Sequence, residues 1–133
     1  MTTVVCRPAL ICDEDPLLAA RCSDLLQGLG LQAWTTSDVG EAIRWVGCFR
    51  FSVGILGLEG SLRASVALAH ALQEMTPGLP VVVLSDSSED LSQGRPSPGA
   101  VLQRPPDAEP LRDALYRLLG MDDLDCQEDV FPA

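Results

Sequence analysis

Three short apolar runs, Ala9-Leu-Ile-Cys12, Phe51-Ser-Val-Gly-Ile-Leu56 and Val81-Val-Val-Leu84, constrain this chain most. Each is too short for a buried helix and lacks the alternation of a strand with one wet face. Strands covered on both faces read this way, and they belong to parallel sheets sandwiched between helices. Helical spacing follows the first run, with Leu17, Leu18, Cys22, Leu25, Leu26 and Leu29, and the second, with Val66, Ala69, Leu72 and Met75. Leu31–Thr35 and Ala100–Leu102 read as two further strands, and Leu111, Ala114, Leu115, Leu118 and Leu119 mark a last helix ending at Gly120. Strand and helix alternate, which predicts a parallel sheet with right-handed crossovers.

Local signals place the helix starts. Asp15-Pro16 supplies a capping carboxylate followed by proline at the first helical position, and Gly28 and Gly30 stop that helix. Asp38 with Glu41 three residues later has the form of a capping box, opening a helix with Ala42, Ile43, Trp45 and Val46. Asp107 caps the last helix. The alternation breaks once. Residues 86–99 hold one large apolar residue, Leu91, together with Gly94, Pro96 and Pro98. A helix lying on a sheet must bury an apolar stripe, so a fourth helix there is expected to be short or missing.

At 133 residues the chain is expected to form one domain over 1–120, with 121–133 as an acidic tail or linker. No apolar run reaches the roughly 18–20 residues that span a bilayer, and residues 1–8 lack a signal peptide's basic and apolar regions. A cytoplasmic location is the expectation. The net charge of −10 argues against nucleic-acid or anionic-membrane binding. All nine basic residues are arginine, so lysine chemistry is excluded. Five cysteines without C-x-x-C spacing read as free thiols, mostly buried. The single histidine, His70, has no nucleophile to serve and reads as a solvated or half-buried helix residue. Trp34 and Trp45 read as packing between the second strand and second helix.

The segments A-L-I-C-D-E-D-P (9–16), F-S-V-G-I-L-G-L-E-G (51–60), L-P-V-V-V-L-S (79–85) and Q-R-P-P-D-A-E-P-L (103–111), in that order and spacing, resemble the receiver domains of bacterial response regulators. The resemblance covers about residues 4–119. It implies an α/β, flavodoxin-like, doubly wound sheet of five parallel strands ordered 2-1-3-4-5. It further implies a Mg2+-binding acidic pair at Asp13 and Glu14, a phosphate-contacting hydroxyl at Ser85, and Arg104 where the family carries lysine. Gly57 falls at the phosphoacceptor aspartate, and Val101 at the aromatic switch position. The chain thus resembles a degenerate member of the family.

Glycine offers no nucleophile, so aspartyl phosphate cannot form at position 57. Asp13, Glu14 and Asp15 crowd negative charge that demands a cation or a raised pKa. Arg104 is the favoured cation, because a permanently charged guanidinium grips a carboxylate bidentately. A residual Mg2+ on Asp13, Glu14 and Glu59 is the weaker alternative, and no functional cofactor is expected. Ser85 with Arg104 is a further alternative, as an anion site. No nucleophile–base pair, metal cluster or cofactor loop supports an enzyme.

The expected function is therefore a phosphorylation-independent protein-interaction module in bacterial signalling. By analogy with the family, its partner, or a second copy in a homodimer, would bind the face of the fourth and fifth strand–helix units, around Leu91, Val101, Arg112 and Tyr116. The alternatives are a ligand- or metal-sensing module using the acidic crevice, and a phosphoreceiver with a displaced acceptor.

Overall fold

The computed structural model describes residues 7–58, 62–85, 98–104 and 106–124. The elements run β1 (Ala9–Asp13), α1 (Pro16–Gly28), β2 (Ala33–Thr36), α2 (Val39–Cys48), β3 (Val53–Gly57), α3 (Leu62–Met75), β4 (Val81–Ser85), β5 (Gly99–Gln103) and α4 (Ala108–Leu124). All strand pairs are parallel, and the sheet order is β2-β1-β3-β4-β5. This is the expected doubly wound arrangement. Four helices flank the sheet among the described residues. Residues 86–97, where a fourth helix is expected to be short or missing, lie outside them, as do Glu59, Leu91 and the tail from 125.

Every residue of β1, β3 and β4 is buried, which is why their sequences are continuous rather than alternating. Successive side chains point to opposite faces, so the sheet feeds two cores. Ala9, Ile11, Val53, Ile55, Val82 and Leu84 pack with Ala19, Cys22 and Leu26 of α1 and with Leu111 and Leu115 of α4. On the other face Leu10, Cys12, Leu56, Val81 and Val83 pack with Ala42 and Val46 of α2 and with Leu68, Ala69 and Leu72 of α3. Trp34 of β2 sits edge-on to Trp45, Phe49 and Phe51, with ring centroids 5.0–5.6 Å apart. Such pairs add to the area that the rings bury.

The helix starts follow from side-chain chemistry. Asp15 accepts from the Leu17 amide at 2.9 Å, with Pro16 behind it. Asp38 accepts from Gly40 N at 3.0 Å, but the reciprocal half of the expected capping box is taken by another residue. Thr36 Oγ1 accepts the Asp38 amide at 3.0 Å, the bond that Glu41 would make. Gly30 exits α1 with φ 89°, a conformation that glycine adopts freely. Gly120 interrupts α4 at φ 79° and ψ 166°, and the helix resumes to Leu124 rather than stopping.

Some burial expectations are corrected. Leu17 is 80% exposed, because α1 turns Ala19, Cys22 and Leu26 inward and position 17 lies off that stripe. Ile43 and Met75 are also exposed; in α3, Ser65 and Leu68 join Ala69 and Leu72 in the buried stripe, and Val66 is half-buried against it. Cys12 and Cys22 are buried free thiols, whereas Cys48 is exposed at the end of α2. Burial lifts both buried thiols from the ordinary 9.0 to about 11, and the Asp13 carboxylate adds to the effect.

Candidate functional site

The carboxyl ends of β1, β3 and β4 converge on one buried ion pair. Asp13 closes β1 and is 1% exposed; Arg104, just beyond β5, is 8% exposed. Arg104 Nη2 donates to Asp13 Oδ1 at 2.7 Å, and Nε donates to Oδ2 at 3.2 Å. This bidentate contact is what guanidinium geometry favours. Asp13 Oδ1 also accepts the Asp15 amide at 2.8 Å, fixing the turn that starts α1. The Arg104 amide donates to the Ser85 carbonyl at 2.9 Å, which anchors the arginine to the end of β4. Desolvating two charges is costly, and only such close, multiply bonded geometry offsets it.

Gly57 makes the pair possible. It is the last residue of β3 and lies opposite Asp13 in the β1–β3 register. A Cβ at position 57 would collide with Asp13 Oδ2, would stand 3.1 Å from Asp13 Cγ, and would press on Arg104 Nε at 3.3 Å. The Asp13 carboxylate and the Arg104 guanidinium thus use the space into which a side chain at 57 would project. The glycine is required sterically, quite apart from the nucleophile it lacks.

The other sequence candidates are distributed as follows. Ser85 is buried at the end of β4, beside the pair. Glu14 is exposed, so the acidic pair is divided into one buried and one exposed residue. Val101 is half-buried and packs with the α2–α3 core, on the sheet face opposite α4. Arg112 and Tyr116 are exposed on α4, the latter by 38%. Val101 and the pair Arg112 and Tyr116 thus lie on opposite faces of the sheet, and β5, which carries Val101, is its edge strand. His70 is exposed on α3. Among the described residues, no group of three or more His, Cys, Asp or Glu side chains is placed to hold a metal ion.

Two supporting residues were missed in the sequence. Ser65 is fully buried, and its Oγ accepts the Leu58 amide at 3.0 Å, tying down the chain as it leaves β3. Its signal is a serine in phase with the apolar stripe of α3. Arg21 of α1 donates through Nε to the Pro106 carbonyl at 3.4 Å, linking α1 to the segment that precedes α4. Beside the ion pair, between α1 and the β2–α2 turn, lies an open cleft of about 540 Å3. Its walls include Asp13, Asp24, Asp38 and Glu41, with hydroxyls from Ser23 and Thr36.

The five-stranded parallel sheet ordered β2-β1-β3-β4-β5 with its flanking helices is that of the receiver fold of response regulators. Known structures bear this out. The chain is similar to a receiver domain from Methanospirillum hungatei, with 16% identity, a TM-score of 0.71, and 94% of this chain and 98% of that one covered. It is similar to the response regulator TrrA of Thermotoga maritima, solved with Mg2+ and BeF, with 17% identity, a TM-score of 0.74 and coverage of 85% and 99%. A sensor protein from Polaromonas matches with 24% identity, a TM-score of 0.72 and coverage of 89% and 98%. At these identities the likeness establishes the fold. No protein-family model matches the sequence, and no curated protein matches it either.

Proposed function

We propose that this chain is an atypical receiver module of a two-component signalling system, one that binds protein partners without taking up a phosphoryl group. The observation that carries this reading is the Asp13–Arg104 pair lying in the space over Gly57. A receiver switch of the ordinary kind needs a carboxylate at that strand end, an acidic pair free to hold a cation, and a mobile basic side chain beyond the last strand. Here the first is a glycine, and one member of the acidic pair, Asp13, is bonded to the basic side chain, Arg104. Arginine keeps its charge throughout the physiological pH range, so the guanidinium is a permanent partner for the carboxylate.

In this reading the chain is not an enzyme, needs no Mg2+ or other cofactor, and works in the cytoplasm. No helix among the described residues is long and apolar enough to cross a membrane. Partners, or a second copy, engage the side of the molecule where α4 presents Arg112 and Tyr116. Titrating the protein with Mg2+ and beryllofluoride while following amide NMR shifts tests the reading. Resonances of Asp13, Gly57, Ser85 and Arg104 are expected to stay in place, and saturable movement of that set contradicts the proposal.

The cleft beside α1 favours a second reading, a ligand-sensing module. Its described walls carry carboxylates and hydroxyls and no basic side chain, so it suits a cationic ligand rather than an anion. The same titration separates the two readings. Shifts at Asp24, Asp38 and Glu41 with a cation alone, and none at Ser85, support the second.

A further inference from the structure

The seam between α2 and α3 carries a surface that the strand-end site does not use. Among the described residues, three of the five exposed large apolar side chains lie here: Ile43 of α2 at 36%, Phe49 at its C-cap at 49%, and Met75, the last residue of α3, at 43%. Met75 Cε lies 3.3 Å from where a Cβ on Gly47 would stand, so the two helices meet there. One turn back, Ile43 lies on the same side of α2 as Gly47, and Ala71 on the same side of α3 as Met75. Phe49 leans edge-on against Trp34, which holds its ring at the surface. Two exposed charges of opposite sign stand beside the apolar group, Arg50 next to Phe49 and Glu74 next to Met75. Neither forms an ion pair with a described residue.

We infer that this surface is a two-fold contact between two copies of the chain, with Arg50 of each copy against Glu74 of the other. A closed two-fold interface uses one patch twice, so the patch must complement itself. This one does: the arginine on the α2 side and the glutamate on the α3 side exchange places across an axis running along the seam, and apolar side chains meet between them. The rest of the charge favours this choice of face. The chain carries −10 overall, and Glu14, Asp15, Asp38, Asp107 and Glu109 gather where the helices start, at the opposite end of the sheet. Two copies approaching there repel, whereas at the seam the two signs balance. Size sets the strength. Helix α3 has 14 residues, about 21 Å of helix, and two helices side by side are about 20 Å wide. That offers roughly 400 Å2 per copy, about half of a standard interface, so the dimer is weak, with a Kd between about 1 µM and 1 mM. The contact leaves the α4 side to other partners and does not rest on the phosphoryl reading.

Sedimentation equilibrium of the full chain over that concentration range tests the contact, under reductant because Cys48 is exposed beside Phe49. The parent is expected to pass from monomer to dimer. Arg50→Glu and Glu74→Arg each set like charges face to face twice, and each is expected to weaken the dimer about tenfold or more. Mixing the two variants makes opposite signs meet at both positions, and a heterodimer of parental strength is expected. Unchanged thermal unfolding of each variant, measured at a dilution where the parent is monomeric, shows that the fold is kept. A parent that stays monomeric throughout overturns the inference and leaves the face to a different protein. A dimer that neither variant weakens overturns it by placing the contact elsewhere on the molecule. A mixture that does not recover overturns the pairing of Arg50 with Glu74.

Discussion

The Asp13 carboxylate leans over the Cα of Gly57, its partner in the β1–β3 ladder, and in that space meets the Arg104 guanidinium. A missing side chain on one strand and an ion pair on its neighbours are thus one structural feature. Restoring a side chain at position 57 must displace the pair, because the obstructing atoms belong to buried Asp13 and Arg104 rather than to a flexible surface group.

Replacing Gly57 is therefore expected to destabilise the fold. Gly57→Ala should cost about 1–3 kcal/mol through overpacking. Gly57→Asp should cost more, since a second carboxylate beside Asp13 adds like-charge repulsion. Urea unfolding measures both. Gly57→Asp as stable as the parent would mean that Asp13 turns away easily.

Breaking the pair one side at a time is expected to be worse than removing both. Arg104→Met leaves Asp13 buried and uncompensated, a loss of about 3–5 kcal/mol. The double variant Asp13→Asn with Arg104→Met should recover much of that, and a double-mutant cycle reads the coupling. Additive losses would mean that the two side chains do not depend on each other.

The fold itself was legible because its buried strands leave continuous apolar runs. Ala9–Cys12 and Val81–Leu84 can be read without any knowledge of what covers them. Gly57 and Arg104 were placed by resemblance, and Arg104 as the cation for Asp13 followed from charge alone. The volume over Gly57 was not legible, since no local pattern reports that a carboxylate from another strand fills it. Helix phase failed twice: Leu17 lies on the side of α1 away from the Ala19–Cys22–Leu26 stripe, and Met75, the last residue of α3, is exposed. Thr36 taking the Asp38 amide was also missed, because Glu41 offered the commoner pattern at the same spacing.

The cysteines predict a thiol pattern and a pH trend. Cys12 and Cys22, raised to about 11 by burial, should resist alkylation at neutral pH, while exposed Cys48 reacts. Their folded pKa lies above the ordinary 9.0, so the folded state holds these protons longer than the unfolded chain does. The stabilisation from that difference is complete below about pH 9 and is lost as pH rises towards 11. Site-resolved mass spectrometry checks the first expectation. Unfolding at stepped pH checks the second.

Gly47→Ala should stabilise α2. The added Cβ meets only the end of the half-exposed, flexible Met75 side chain, and alanine is favoured over glycine within a helix by about 1 kcal/mol. A rise in the unfolding midpoint checks it, and a fall would mean that Met75 is held rigidly.

Incubating the purified chain with Mg2+ and acetyl phosphate, then recording intact mass and mapping any adduct, tests the absence of phosphoryl transfer most directly. The mass is predicted to stay unchanged. An acid-labile phosphoryl group on Asp13 or another carboxylate at the strand ends would contradict the account.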